Sequence, residues 1–172
     1  AQEMFERMWS FKWLPPGRGL WSMGTKALHK VGGACLNNCA FVSTEDIGEG
    51  WFSEPFRFLM DMSMLGVGVG ADTKGAGRLT LSSPTYSSSS HVVKDSREGW
   101  VEIVGIVLDS FTGDTMLPRT IDYSKIRPKG SILKTFGGRC SGPEPLKSLI
   151  EDLIELLTPK DGLPYLLTST LI

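Results

Sequence analysis

The sequence predicts an α/β protein. Stretches in which apolar residues recur at helical spacing alternate along the chain with short runs typical of strands. The 172 residues are 41% hydrophobic and include five Trp and eight Phe, enough to bury the core of one domain or of part of one. Because no internal repeat or long linker divides the chain, we expect residues 1–172 to form one segment.

The first part of the chain predicts a helix, an irregular stretch and a strand. Apolar residues at helical spacing stop at Pro15-Pro16-Gly17, so the first helix is expected to end near Trp13. Residues 17–38 contain five glycines among few apolar repeats, which predicts loop or irregular structure near a ligand. Ala40-Phe41-Val42 is then a predicted strand with Cys39 at its entrance.

The next elements are a capped helix and a glycine-rich strand. Ser53 is a predicted N-cap, Pro55 suits a first helical turn, and an apolar stripe follows. Val alternates with Gly over residues 66–70, which predicts a strand that another backbone or a ligand approaches closely.

The middle of the chain predicts a loop, a helix and two strands. Residues 82–90 contain six serines, so a flexible surface loop is expected. Asp95 with Glu98 resembles a capping box that opens an amphipathic helix. Two strands are predicted at 117–123 and 131–136, with a turn at 127–130.

Ser141-Gly142-Pro143-Glu144 is a second predicted capping box, and apolar residues at helical spacing continue to Leu157. Free backbone N–H groups after Gly137-Gly138, the helix dipole and Arg139 could together bind a phosphate. An ordinary capped turn explains the same pattern and is favoured when the segment is considered alone.

Charge and cysteine usage limit the functional classes. A formal net charge of −1 provides no long-range field that favours nucleic acid or an anionic membrane surface. Three cysteines, no signal-peptide pattern and no long apolar run predict a reducing, cytoplasmic context. Both ends of the sequence are abrupt, so we expect a part of a larger protein.

Other familiar sites are not predicted. Cys35 and Cys39, with only His29 and His91 in the chain, make a poor zinc site, so no metal is expected. The glycine spacing fits neither a Rossmann fingerprint nor a Walker A loop. For Cys39 itself, composition favours a small buried thiol over a pocket thiol flanked by polar amides.

Several ordered segments, taken together, resemble the class II ribonucleoside-triphosphate reductases, the monomeric cobalamin-dependent branch. The resemblance runs from Gln2 to about Thr170. It is carried by residues 16–25, Leu36-Asn37-Asn38-Cys39-Ala40-Phe41-Val42, residues 55–70, Asp95-Ser96-Arg97-Glu98-Gly99-Trp100-Val101 and Gly137-Gly138-Arg139-Cys140-Ser141-Gly142-Pro143.

The resemblance implies a fold and a site. The fold would be part of a ten-stranded α/β barrel, with about 82–116 as the inserted segment of the monomeric branch. Cys39 would be one of two cysteines that reduce the substrate ribose, while Cys140 would be a tolerated substitution. The residues expected to line the nucleotide substrate are Trp21, Ser22, Asn38, Gly137, Gly138, Ser141 and Gly142. An allosteric deoxynucleotide would bind near Asp46, Asp72 and Lys74.

The resemblance also implies adenosylcobalamin as cofactor, a ribonucleoside triphosphate as substrate and a thioredoxin-like reductant. The family's Asn-Pro-Cys-Gly-Glu loop, which carries the thiyl cysteine, is not in this sequence. We therefore expect the chain to be inactive alone and to need a complementary chain with the rest of the barrel. The alternative is a non-catalytic remnant with at most weak nucleotide binding.

Overall fold

The computed structural model describes residues 1–133 and 138–172, and within them the chain is α/β, as predicted. The strands are β1 (Cys39–Val42), β2 (Gly68–Ala71), β3 (Thr80–Leu81), β4 (Tyr86–Val92), β5 (Leu117–Asp122) and β6 (Tyr165–Leu166). The helices are α1 (Gln2–Trp9), α2 (Gly17–Ser22), α3 (Lys26–Val31), a 3₁₀ helix (Gly32–Leu36), α4 (Glu54–Met64), α5 (Arg97–Ser110) and α6 (Glu144–Leu157).

The strands pair two by two. β1 and β2 are parallel and joined through α4, and β4 and β5 are parallel and joined through α5. Such βαβ units need a crossover element, which each helix supplies. β3 and β6 are antiparallel. The described residues therefore form three two-stranded sheets, which by themselves do not establish the partial ten-stranded barrel expected from the resemblance.

The core is built around α5. Ile103, Val104, Val107 and Leu108 are all buried on this helix. Side chains from β3, β5 and α6 pack in the same cluster, which explains why the apolar stripe of α6 lies where the sequence predicts it.

The glycine-rich strand is confirmed. In register, Cys39 lies opposite Gly68 and Phe41 opposite Gly70. A Cβ on Gly68 would lie 3.4 Å from the Asn38 carbonyl oxygen, so the expected close backbone approach comes from the neighbouring strand.

Two loop predictions were wrong. Residues 17–38 form α2, α3 and the 3₁₀ helix. These elements span only five or six residues each, too few for a helical period to show in sequence, and Gly24 and Gly32 take positive φ between or after them. Residues 86–90 belong to β4, because pairing with β5 supplies backbone hydrogen bonds that their serine-rich composition does not reveal.

Three helix termini also differ from expectation. α1 ends at Trp9, before Phe11 takes a positive φ of 55°, and not near Trp13. The N-cap of α5 is Ser96, whose Oγ accepts from the Gly99 N–H at 3.1 Å, and not Asp95. α6 begins at Glu144 without a side-chain cap, so the box at Ser141 does not form.

The strand at 117–123 is confirmed as β5. The strand predicted at 131–136 is represented by a single bridge between Ile132 and Arg139, and residues 134–136 lie outside the described residues. Within the described ranges, no helix is both long and apolar enough to cross a membrane.

Candidate functional site around Cys39

The Cys39 thiol lies at the first position of β1 and is exposed to solvent. Its neighbour Asn38 accepts a 2.9 Å hydrogen bond from the Gly68 N–H through its backbone carbonyl, which fixes the start of β1 against β2. The composition-based expectation of a buried thiol therefore fails at this position.

The short helix α2 is fastened to the turn that precedes β2. The Arg18 guanidinium donates to the Leu65 carbonyl at 3.2 Å and to the Gly66 carbonyl. Trp21 on the same helix is 50% exposed, while Ser22 is fully buried. The Ser22 Oγ has no hydrogen-bond partner among the described residues, which is costly for a buried hydroxyl and fits a position that is completed by another group.

The three thiols have different surroundings. Cys35 is fully buried and its Sγ donates to the Gly32 carbonyl at 3.3 Å. Cys140 is half-buried, with its Sγ 3.0 Å from the Pro128 carbonyl oxygen. Of the three thiols, Cys39 is the exposed one. Exposure is the condition for thiol–disulfide exchange with an external reductant.

The remaining predicted substrate residues lie around the start of α6. Ser141 and Gly142 line two cavities, of about 870 Å³ and 360 Å³. Gly142 is buried with φ +80°, and a Cβ there would lie 2.9 Å from the Lys129 backbone nitrogen, so glycine is required for this close contact. Gly138 is exposed, and Gly137 lies outside the described residues.

The start of α6 is a poorer phosphate site than the sequence suggests. Pro143 and Pro145 have no backbone N–H, and Glu144 brings a negative charge that only partly pairs with Lys147 at 2.9 Å. Arg139 donates to the Gly130 carbonyl at 2.9 Å, so its guanidinium is already partly occupied.

The carboxyl end of α4 lies near both α2 and the residues that precede α6. Met64 lines the 360 Å³ cavity together with Cys140, Ser141 and Gly142. The next residue, Leu65, accepts the hydrogen bond from Arg18. Neither the 870 Å³ nor the 360 Å³ cavity includes Cys39 in its lining.

The predicted effector residues Asp72 and Lys74 meet the loop after β1. The Asp72 carboxylate accepts from the Thr44 N–H at 2.9 Å, the Thr44 hydroxyl at 2.9 Å and the Ser43 hydroxyl at 2.7 Å. These bonds, the Thr44 N–H first, hold the pKa of Asp72 well below its ordinary value. We call Ser43, Thr44, Asp72 and Lys74 the Asp72 cluster.

Lys74 is held by a second carboxylate. Its Nζ lies 3.1 Å from Glu45 Oε2, and this hydrogen bond raises the pKa of Lys74. Asp46 is exposed on the adjoining turn, where its carbonyl accepts from the Glu49 N–H. The cluster thus joins the loops that follow the carboxyl ends of two parallel strands, a common place for ligand sites.

Two residues that hold the site together, Arg18 and Thr44, were not predicted from the sequence. Neither Arg18 nor Thr44 belongs to a spacing pattern, because each acts through a loop more than 25 residues away along the chain. Within residues 1–133 and 138–172, no group of three or more His, Cys, Asp or Glu side chains is placed to hold a metal ion.

Comparison with known proteins gives a consistent result. The B12-dependent ribonucleotide reductase insertion domain matches residues 70–157, a range that includes 82–116, and the ribonucleotide reductase alpha domain matches residues 1–25. The adenosylcobalamin-dependent ribonucleoside-triphosphate reductase of Euglena gracilis is 46% identical over 98% of this chain, and that of Lactobacillus leichmannii is 29% identical over 94%.

A solved structure of a B12-dependent (class II) ribonucleotide reductase superposes on 97% of the chain with a TM-score of 0.77 and 26% identity. The chain spans 23% of the Euglena protein and 30% of the solved chain. Family model, relatives and structure agree, and the chain therefore belongs to the B12-dependent ribonucleotide reductase family.

Proposed function

We propose that this chain forms part of an adenosylcobalamin-dependent reductase that converts ribonucleoside triphosphates to 2′-deoxyribonucleoside triphosphates. The observation that carries the proposal is the exposed Cys39 thiol at the start of β1, which follows a 3₁₀ helix in contact with the helix that bears Trp21 and Ser22. The Euglena and Lactobacillus relatives carry the name of that activity.

In the proposed reaction Cys39 is half of a redox pair. Two thiols become one disulfide and release two electrons and two protons. These replace the 2′-hydroxyl of the ribose with hydrogen, and the hydroxyl leaves as water. The second thiol belongs to a segment outside this chain, because Cys35 is buried and Cys140 is directed at the Pro128 carbonyl.

The cofactor would initiate this chemistry by providing the radical. The described residues do not form a recognisable site for so large a group: Cys39 is exposed, and it lines neither of the two cavities beside Ser141. We therefore assign no cobalamin contact to residues of this chain.

The proposal includes a partial ten-stranded barrel completed by a further polypeptide segment. β1 and β2 are a parallel pair, as such a barrel requires. An apolar surface supports the need for a complement: Phe5 is 58% exposed, Trp9 76% and Phe11 82%. The Phe5 and Trp9 rings stack on each other, and such exposed apolar groups are typical of an interface.

The proposal assigns the Asp72 cluster and Asp46 to a deoxynucleotide effector. Lys74 supplies the cation of this cluster. Residues of about 82–116 would form the inserted segment of the monomeric branch. A thioredoxin-like protein would reduce the disulfide at Cys39, which is accessible to a dithiol. A reducing, cytoplasmic location is part of the same proposal.

Reconstitution tests the activity directly. The chain is mixed with a polypeptide that carries the remaining barrel and its Asn-Pro-Cys-Gly-Glu loop, with adenosylcobalamin, a ribonucleoside triphosphate and a dithiol. Deoxynucleotide should form with the chain, and should be lost with Cys39→Ser but retained with Cys140→Ser. Equal product from both variants would contradict the role of Cys39.

A simpler experiment separates a nucleotide-binding segment from a chain that binds no nucleotide. Iodoacetamide labelling of Cys39, followed by mass spectrometry of its peptide, is measured with and without a ribonucleoside triphosphate. Substrate binding next to Cys39 should slow its labelling. Protection without reconstituted turnover would favour the non-catalytic alternative.

A further inference from the structure

The Arg18 side chain links α2 to the α4–β2 turn. Arg18 donates to two consecutive carbonyls, those of Leu65 and Gly66, and it is partly buried. A charged donor that satisfies two carbonyls contributes more than a neutral hydrogen bond, and its planar fork fixes orientation as well as distance.

The turn that Arg18 holds leads into β2, and the first residue of β2 pairs with Cys39. Gly66 has φ +74°, and a Cβ there would lie 3.0 Å from Arg18 Nη2, so the backbone is shaped to admit the guanidinium. Two residues later, the Gly68 N–H donates to the Asn38 carbonyl at 2.9 Å, and Gly68 pairs with Cys39 in register.

The helix α2, which Arg18 joins to the turn, also carries predicted substrate residues. Trp21 and Ser22 lie one turn of α2 beyond Arg18, and α2 also packs against the 3₁₀ helix that leads into Asn38 and Cys39. Since α2 spans only six residues, its own hydrogen bonds cannot hold it in place.

From this geometry we infer that Arg18 is a positioning residue, which holds Trp21 and Ser22 in a fixed relation to the Cys39 thiol. It acts through the Leu65 and Gly66 carbonyls and does not itself touch the thiol. The inference rests on the proposed function for its meaning, because a reductase needs the ribose contacts and the reducing thiol in one geometry.

The experiment measures the proximity of Trp21 to the Cys39 thiol in the absence of nucleotide. A bimane fluorophore is attached to Cys39 in a Cys140→Ser background, in which the fully buried Cys35 does not react. A tryptophan in contact with bimane quenches its fluorescence, and the Trp21→Phe chain defines the baseline. The Trp21-dependent quenching should be lost in Arg18→Gln and partly restored in Arg18→Lys, which keeps the positive charge and a long side chain.

The matched control is Arg7→Gln, because the Arg7 guanidinium pairs with the exposed Glu3 on its own helix. A second variant, Gly66→Ala, displaces the guanidinium while Arg18 remains. Its control is Gly77→Ala, which has the same kind of positive φ and nothing within 4 Å of the added Cβ. Quenching should fall in Gly66→Ala and persist in Gly77→Ala.

Hydrogen exchange provides the second readout. The Gly68 amide should exchange on the order of tenfold faster in Arg18→Gln, the local effect of removing hydrogen bonds to a charged donor. Amides of α5 should keep their protection. No Trp21-dependent quenching in the parent chain, or quenching unchanged in Arg18→Gln, overturns the inference. Neither result bears on nucleotide protection of Cys39, which tests the proposed function separately.

Discussion

Cys39 and Gly68 lie opposite each other at the amino ends of two parallel strands. The pairing places a thiol beside a residue without a side chain, so the thiol stays exposed while its backbone is fixed. The Gly68 N–H donates to the Asn38 carbonyl, and this hydrogen bond joins the two strands where they begin. A reactive group on a rigid strand, and not on a loop, keeps a constant position for chemistry.

The first prediction concerns thiol reactivity. Cys39 is exposed, Cys140 is half-buried and Cys35 has no accessible surface. Under native conditions iodoacetamide should label Cys39 first and Cys35 only when the chain opens. Peptide mass spectrometry over a time course measures the order. Early labelling of Cys35 would show that the 3₁₀ helix around it is not closed in solution.

The second prediction concerns a buried carboxylate. Asp109 is 4% exposed and accepts from the Ser53 N–H at 2.8 Å and the Ser53 hydroxyl at 2.7 Å, joining the end of α5 to the start of α4. Asp109→Ala leaves both buried donors without a partner and should lower the free energy of unfolding by about 2–4 kcal/mol. Urea denaturation measures this loss.

The control for that substitution is Asp152→Ala on the exposed side of α6, which should change stability by less than about 0.5 kcal/mol. Asp109→Asn retains one acceptor oxygen and should be intermediate. Equal stability of Asp109→Ala and the parent chain would mean that water replaces the carboxylate.

The third prediction is a pH dependence from Asp72. Because the pKa of Asp72 in the folded chain lies below its ordinary value of 3.8, the carboxylate stabilises the fold fully above about pH 4. The stabilisation is lost as the pH falls toward the folded pKa. Thermal unfolding in steps below pH 6 should show a shallower acid decline for Asp72→Asn than for the parent chain.

Asp46→Asn is the matched control, since Asp46 lies on the adjoining exposed turn. Its acid profile should follow the parent chain. Identical profiles for Asp72→Asn and the parent would contradict the hydrogen-bonded carboxylate.

The fourth prediction distinguishes two serines that both precede helices. Ser96 caps α5 through the Gly99 N–H at 3.1 Å, whereas α6 has no side-chain cap and the Ser141 hydroxyl donates to the Gly142 carbonyl at 3.3 Å. Ser96→Ala should lower stability by about 1 kcal/mol, and Ser141→Ala should have little effect. Guanidinium denaturation compares the two. A larger loss at Ser141 would restore the capping box predicted from sequence.

Sequence pattern predicted the long elements well. The helix from Glu144 to Leu157 and the strand from Leu117 carry enough apolar periods to be recognised, and their residues do pack in the core. Pattern failed for α2, α3 and β4. The two helices are too short to show a period, and β4 is a strand only because β5 pairs with it.

For the site, the ordered motifs around Cys39 identified the family, and an exposed thiol is what its predicted role requires. The roles of Trp21, Ser22, Asn38 and the effector residues stay predictions. The resemblance named Asp72 and Lys74, but sequence could not reveal that Thr44 holds Asp72, because these two residues are 28 apart and meet only when β1 and β2 align.

The sequence by itself determined the α/β class through local periodicity, and its ordered motifs, through their resemblance to a known family, indicated the family and the candidate redox cysteine. Only the tertiary structure decided that Cys39 is exposed while Cys35 is buried, and that Arg18 joins α2 to the turn before β2. Burial and contacts between distant loops arise from packing the whole chain, and no local pattern encodes them.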